Sequence, residues 1–410
     1  MLVILLLLIF IRPFISSLAF PEVNLIYSIL LIGFLGIWLI LKGLPLKEIK
    51  PIKYPLMLLC LAFIICVSFS QDKFKSLIEL YKYILGLLLF LTGISLTSKH
   101  KAGVVQTIIL AGFIISLLAI YQYFLGFRHL LNYIAKEKIT DPFVLDYLSH
   151  KRAFFPFVTA NTLAGYFAFI VPLVLVIKEK GRWLILLAVS FSLLLTKSLG
   201  ALLSLFLALA AYFYLENISR KSPQADNFKR FSLVVSGKCF ILSCTIKRKR
   251  ILLLVGLLAI IVLVFIIRSL SQQYTQPLFS TLRRINYWKG TLEIIRVSPL
   301  TGVGLGNFSL MQSLYAHNSY LQIWAEMGIL GIISILWLIT AVFKSALKNI
   351  IENTQKNQII SLIAANTVFL AHNLVDFTFF LPEVALLWWL ILGLVIPKDN
   401  NENSYRNPNL

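Results

Sequence analysis

Apolar runs of nearly twenty residues recur from one end of the chain to the other, broken by short basic loops. A helix needs about twenty apolar residues to cross the hydrocarbon of a bilayer. The runs lie near 2–20, 23–41, 54–70, 76–97, 103–125, 158–177, 183–197, 199–214, 251–267, 319–343, 359–375 and 384–397. They predict an all-α fold, a polytopic transmembrane helix bundle of about 12 spans. Hydrophobic residues make up 59% of the 410, and mean hydropathy is +0.86, which excludes an ordinary soluble protein. The 183–214 region reads either as two short spans broken at Lys197-Ser198-Leu199-Gly200 or as a re-entrant pair. The first run begins with no basic segment before it, so it reads as a span and not as a cleaved signal peptide.

Charge orients the bundle. The formal net charge is +21, which in a soluble protein would suggest nucleic acid. Here the basic residues sit in loops between apolar runs, so no nucleic-acid partner is expected. One set of loops carries Lys42, Lys47, Lys50 and Lys53, then Lys99 and Lys101, then Lys178, Lys180 and Arg182, then nine basic residues from Arg220 to Arg250, then Lys344, Lys348 and Lys356. The opposite set carries fewer, and the positive-inside rule puts the richer set in the cytoplasm. Both termini then lie inside. The 215–250 loop faces anionic headgroups, and 126–157 and 268–318 become long external loops. Loops of that length between spans usually carry function. The reading is one polytopic membrane domain over 1–397 and a disordered polar cytoplasmic tail over 398–410.

Cysteine usage adds no framework. Cys60 and Cys66 lie in one apolar run, and Cys239 and Cys244 lie in the basic loop. None falls in an expected external loop, so no disulfides are implied. Cys239-x4-Cys244 has no second ligand pair for zinc. No Asp-x-Asp pair occurs, so the expectation is a reaction without metal or cofactor.

The most informative stretch is 283–331, RRINYWKGTLEIIRVSPLTGVGLGNFSLMQSLYAHNSYLQIWAEMGILG. Leu282, Ile285, Trp288, Leu292 and Ile295 recur at helical spacing and predict a helix over 281–297. Ser298-Pro299 ends it. Arg284 and Trp288 share a face, one turn apart. Gly302, Gly304 and Gly306 form a loop built for tight backbone packing, with donation to an anion as the lesser role. It lacks the lysine and the spacing of a nucleotide loop. Asn307 is expected to cap a short helix. His317-Asn318 opens the next long helix, and Glu326, Gly328 and Gly331 follow on it.

His317-Asn318, nine residues, then Gly328-Ile329-Leu330-Gly331 resembles the H-[NSQ]-x9-G-x-x-G signature of the O-antigen ligase and polymerase superfamily. Arg284-Ile285-Asn286-Tyr287-Trp288, followed by 299–308, resembles the block that precedes it. Arg152, leading into Asn161 and Gly165, resembles the family's other external block, although Phe155 stands where glycine is frequent. Together these suggest a ligase-like core over about 152–343. Lys197-Ser198-Leu199-Gly200 resembles a further block, but leucine stands where that block has arginine.

The resemblance implies a metal-independent inverting glycosyltransferase of the bacterial inner membrane, with its active site facing the periplasm. It would move a glycan from a polyprenyl-diphosphate carrier to a sugar hydroxyl on a lipid A–core or another glycan, among membrane lipids. His317 would be catalytic. Arg284 and Arg152 would bind the donor diphosphate. Asn318, Glu326, Gly302, Gly304, Gly306, Asp376 and His372 would support them, with Glu326 pairing an external arginine. A polymerase joining repeat units is the alternative. A small-anion transporter is the rival from another class, though transporters place ionisable groups near the midplane. The tripeptide Ala-His-Asn occurs at 316–318 and again at 371–373, and reads as coincidence.

Overall fold

The computed structural model describes residues 1–137, 148, 150–220, 248–271, 279–352 and 356–397. The expected tail at 398–410, most of the 215–250 loop, Cys239 and Cys244 lie outside the described residues. Within them the regular elements are helices, joined only by a single bridge between Leu310 and Ser313. They are α1 (Leu2–Ile11), α2 (Pro21–Lys42), α3 (Lys53–Ser68), α4 (Lys73–Ser95), α5 (Ser98–Tyr121), α6 (Phe127–Lys136) and α7 (Ala160–Val174). Then follow α8 (Arg182–Leu195), α9 (Leu199–Arg220), α10 (Arg248–Ser271), α11 (Phe279–Val297), α12 (Ser319–Glu352), α13 (Lys356–His372) and α14 (Pro382–Leu394).

Among the described residues, seven helical runs are long and apolar enough to cross a membrane, and four shorter apolar helices accompany them. The sequence count of about twelve spans is therefore not fixed by helix length alone. The all-α architecture is. Burial sorts the helices by radius. Every residue of α14 is buried, and α7 is buried along its whole length. A helix apolar on all sides and buried on all sides sits at the centre of a bundle. In α10 only 11% of the apolar window is buried, so its hydrophobic surface faces outward, as a lipid-facing helix does. The central pairs approach closely: a Cβ on Gly93 of α4 would lie 2.8 Å from the Leu390 carbonyl of α14. Small residues at such crossings let backbones meet.

One end of the bundle gathers the starts of α4, α7, α9, α12 and α14 with the ends of α3, α8 and α13. The expected site residues collect there, and it is called the site end below. The first apolar run, read as 2–20, stops being α-helical at Ile11. Arg12 is the reason. Its guanidinium is buried, bonded to the carbonyls of Pro382 (3.2 Å) and Ile15 (3.0 Å) and to Asn24 Oδ1 (2.8 Å). Glu383 stands 3.7 Å away and also accepts from the Ser17 N–H. A buried charge needs such partners, so the chain turns to supply them. Glu383 is thus held in an ion pair.

Two more expectations change. The stretch expected as a loop from 126 begins as helix, because α5 runs on through a wide turn at Gln122–Gly126 into α6. Phe127 and Ile134 of α6 bury one face with Leu148, which a solvated loop would leave exposed. No helix follows Asn307. Its side-chain amide instead donates to Ser70 Oγ (2.8 Å), Ser76 Oγ (3.0 Å) and the Asp72 carbonyl (3.2 Å), fastening its loop to α4. Inside 183–214 the chain breaks into two separate helices, α8 and α9, with Lys197 at φ 52° between them.

Candidate functional site

The site end contains a clamp and a platform. The clamp begins where α12 breaks. Gly328 has φ 67°, ψ −171°, so the helix kinks there. The Ile329 N–H bonds to Pro299 O (3.0 Å). The carbonyls of Ala325 and Glu326, released from the helix, accept from Val303 N (2.9 Å) and Gly304 N (3.0 Å). The glycine loop thus lies along the broken turn like a short paired segment. Gly302, Gly304 and Gly306 have φ of 72°, 102° and 69°, where L side chains are strained. A Cβ on Gly302 would collide with the Glu326 carbonyl, and one on Gly306 with Glu79.

All three glycine N–H groups are used inside the protein. Gly302 bonds Ser298 O (3.0 Å), Gly304 bonds Glu326 O, and Gly306 bonds Glu326 Oε2 (3.1 Å). Tight packing is therefore the role the geometry gives them, and no donor is left for an anion. Glu326 is buried, with Gln322 Nε2 on its other oxygen at 2.9 Å. The expected arginine partner is not there. A carboxylate that deep needs donors at contact distance, and Gln322, one turn away, with the Gly306 N–H supplies them.

The platform begins on α11, which forms as expected and ends at Val297, before Ser298-Pro299. Tyr287 of α11 stacks on the His317 ring at 5.4 Å and 19° between planes. Phe377 meets the same ring edge-on at 4.8 Å. The Trp288 indole N–H reaches the His317 carbonyl at 3.5 Å, so Trp288 holds the histidine backbone. His317 sits at φ 51°, an unusual place for a non-glycine residue. Its neighbours hold it there. The Ala316 N–H bonds Gln322 Oε1 (3.0 Å), and Asn318 Oδ1 caps α12 by accepting from Tyr320 and Leu321 N–H (3.0 and 3.1 Å). The ring is fixed, yet His317 Nδ1 is buried with no hydrogen-bond partner among the described residues. Burial and the charge of Arg284 push the imidazole pKa below its ordinary value, against an opposing pull from Asp376. A histidine so held stays neutral and able to accept a proton.

Arg284, on the same face as Trp288, makes no hydrogen bond or ion pair among the described residues, and its charge reaches both His317 and His372. Arg152 is placed differently. Its Nε bonds Thr196 O (2.7 Å) and its Nη2 bonds Asn161 Oδ1 (2.7 Å), which also accepts from Ser198 Oγ (3.1 Å). The backbone before α7 is held by Gln122, whose Oε1 accepts from Phe154 and Phe155 N–H.

Between these groups lies the turn after α13. His372 Nε2 is 4.0 Å from Asp376 Oδ2, close enough for an ion pair but too long for a hydrogen bond. The His372 ring fills the space left by Gly165, where a Cβ would lie 2.7 Å from Nδ1. The two Ala-His-Asn segments meet here: Ser319 N bonds Asn373 O (2.9 Å), and Ser319 Oγ bonds Asn373 Oδ1 (2.6 Å). Sequence reasoning missed Tyr287, Tyr315, Phe377 and Asn373. The repeated tripeptide was the one sequence signal for Asn373; the rings had none.

Residues 183–336 match the family model described as O-antigen ligase. The chain carries a domain of the O-antigen ligase superfamily. That matched O-antigen ligase segment holds Arg284, the glycine loop, His317, Asn318 and Glu326, whereas Arg152, His372 and Asp376 lie outside it. No curated protein and no solved structure matches the chain. The O-antigen ligase domain and the apolar helices make this a membrane glycan-processing protein of the ligase and polymerase kind, a glycosyltransferase-like enzyme of polysaccharide assembly.

Proposed function

We propose that the protein transfers a glycan from a polyprenyl-diphosphate carrier to an acceptor sugar hydroxyl, as an O-antigen ligase does. One observation carries this reading: a neutral, rigidly stacked histidine with an unpartnered ring nitrogen stands within reach of the charge of an uncommitted arginine. A buried polar atom left unsatisfied beside an uncommitted charge marks where a ligand completes the network. Arg284 grips the diphosphate with its planar fork, while Arg152, already oriented by Asn161, adds charge from the far side of the turn after α13. Both stabilise negative charge on the departing diphosphate. His317 takes the proton of the acceptor hydroxyl as its oxygen forms the new bond to the anomeric carbon. The carbon–oxygen bond to the diphosphate breaks on the opposite face, with inversion, and the lipid diphosphate leaves with its electron pair.

His317→Ala tests this: transfer disappears while insertion and expression persist, read as loss of the glycan ladder on electrophoresis of a complemented deletion strain. Normal ladders at wild-type expression would remove His317 from the mechanism. The site end faces the periplasm in this reading, because the opposite end carries the denser lysines and arginines. In a cysteine-free background, an impermeant thiol reagent outside intact cells labels Gln312→Cys and leaves Gln224→Cys untouched. The reverse pattern inverts the topology.

A further inference from the structure

A narrow notch opens at the site end between α4 and α14, lined by Glu79, Lys82, Tyr83, Phe379, Phe380 and Trp389. The mechanism above makes no use of it. Three features describe what it holds. First, it is joined to the catalytic histidine by a row of rings. Phe377 meets His317 at 4.8 Å, Tyr315 stacks on Phe377 at 4.1 Å, and Phe380 follows Tyr315 at 6.4 Å. Phe379 then meets Tyr83 at 6.1 Å and Trp389 at 6.4 Å. Second, the polar groups are neutral as a set: Lys82 Nζ lies 2.6 Å from Glu79 Oε2, and both side chains are partly exposed. Such a pair offers donors and acceptors together but no net charge for a phosphate. Third, the Tyr83 hydroxyl is buried and has no hydrogen-bond partner among the described residues.

Aromatic faces with a mixed set of donors and acceptors suit a neutral ring that carries hydroxyls, which is the surface of a sugar. The enclosed part of the notch is small, so one hydroxyl or hydroxymethyl group enters while the ring lies across the aromatic rim. Its side matters as well. The charge of Arg284 reaches His372, at the start of the turn 372–381, and His372 packs on Gly165, one turn past the Asn161 that holds Arg152, whereas the notch lies at the end of that turn, past Phe377. An inverting displacement brings the nucleophile in opposite the leaving group. With diphosphate on the arginine side, the sugar on the notch side is the one that attacks.

We infer that the Glu79–Lys82–Tyr83 notch, with Phe380 and Trp389, is the subsite for the acceptor's neutral sugar. This rests on the transferase reading above and names the substrate group that the site takes on its second side. The subsite holds this sugar at the far end of the aromatic row, so that a neighbouring sugar of the same acceptor lies toward His317 with its free hydroxyl.

The test uses the full chain in lipid nanodiscs free of sugar detergents, with Tyr83→Phe, Lys82→Gln and Phe380→Leu as variants. Tyr83→Phe removes only one oxygen, and Lys82 is partly exposed, so both variants keep the fold. With a polyprenyl-diphosphate donor and a lipid A–core acceptor, KM for the acceptor rises about tenfold in Lys82→Gln and several-fold in the others, as loss of one hydrogen bond or ring contact requires. kcat and the donor KM stay within about twofold. Saturation-transfer NMR with glucose, galactose and N-acetylglucosamine, each alone, shows contact in wild type for at least one, and weaker contact in Tyr83→Phe. A rise in donor KM in place of acceptor KM assigns the notch to the donor glycan and overturns the inference. Unchanged acceptor KM in active variants, with no sugar contact by NMR, also overturns it. If the wild type transfers nothing from any polyprenyl-diphosphate donor, the parent reading fails, and a Tyr83-dependent NMR contact still supports a sugar subsite.

Discussion

The clamp and the platform adjoin one another at the same end of the molecule and differ in one respect. In the clamp, backbone and side-chain donors find acceptors: the glycine N–H groups, Asn307, Gln322 and both oxygens of Glu326 are all bonded. In the platform, aromatic rings fix the geometry, yet Arg284 is uncommitted and His317 Nδ1 is unpartnered among the described residues. Buried polar groups are nearly always satisfied in a folded chain. A satisfied network therefore reads as structure, and an unsatisfied one held rigidly beside it reads as a site awaiting a ligand. The arginines repeat the contrast on a smaller scale. Arg152 is oriented by Asn161 and Thr196, while Arg284 keeps its fork open.

If the contrast is right, variants of the two regions fail in different ways. The largest effect is expected at His317→Ala, a loss of transfer on the order of a hundred- to ten-thousandfold, the range for removing a general base. Its thermal unfolding in detergent should match wild type; an equal fall in stability would make the platform structural. Next, Gly302→Ala should destabilise the protein by about 3 kcal/mol or more, because the φ is strained and the new methyl meets the Glu326 carbonyl. The measured midpoint drops, and any surviving folded fraction keeps its turnover. Normal stability with lost turnover would move the glycine loop into the site.

Smaller effects sharpen the platform itself. Arg284→Lys keeps the charge and loses the paired geometry, which costs about 1–3 kcal/mol of transition-state stabilisation, roughly ten- to a hundredfold in rate. Arg283→Lys, about 100° around the helix, stays near wild type. Single-turnover assays separate them, and equal rates for Arg284→Lys and wild type would leave Arg284 as a headgroup contact. The subtlest change is in the pH profile. His317 acts when neutral, so turnover falls as pH drops through its depressed pKa. Asp376 pulls that pKa up and Arg284 pushes it down. Asp376→Asn therefore moves the acid limb to lower pH, and Arg284→Gln moves it to higher pH. Limbs that do not move would mean that His317 is not the titrating group.

Much of this architecture was legible in the residues. Apolar run length located the helices, and the Ser298-Pro299 stop and the Asn318 cap fell where local rules put them. His317, Arg284 and the glycine loop stood out by pattern. What pattern could not supply was long-range pairing. Arg12, inside an apolar run, drew no reading of its own because Pro382 and Glu383, which hold its charge, lie about 370 residues away. Glu326 was expected to pair with an external arginine, when a glutamine one turn earlier and a backbone N–H sufficed. Asn307 looked like a cap because local sequence does not show α4 beside it. The aromatic row was invisible for the same reason: phenylalanines and tyrosines are common in spans, and only the fold puts five of them in line with Trp389.

The Arg12–Glu383 pair has a consequence in time. During synthesis Arg12 is made long before Pro382 and Glu383 exist. At the usual pace of about 5–20 residues per second, it waits on the order of half a minute for Pro382 and Glu383. The residues that close the site end, Asn373, Asp376, Phe377 and Glu383, arrive in that same late hairpin. The site end is therefore assembled last, when the final hairpin docks. Until then only Ile15 and Asn24 are there to bond Arg12, and its charge has no counter-ion. A nascent chain stalled before that hairpin has its spans but no working centre, and its unpaired arginine marks it as unfinished.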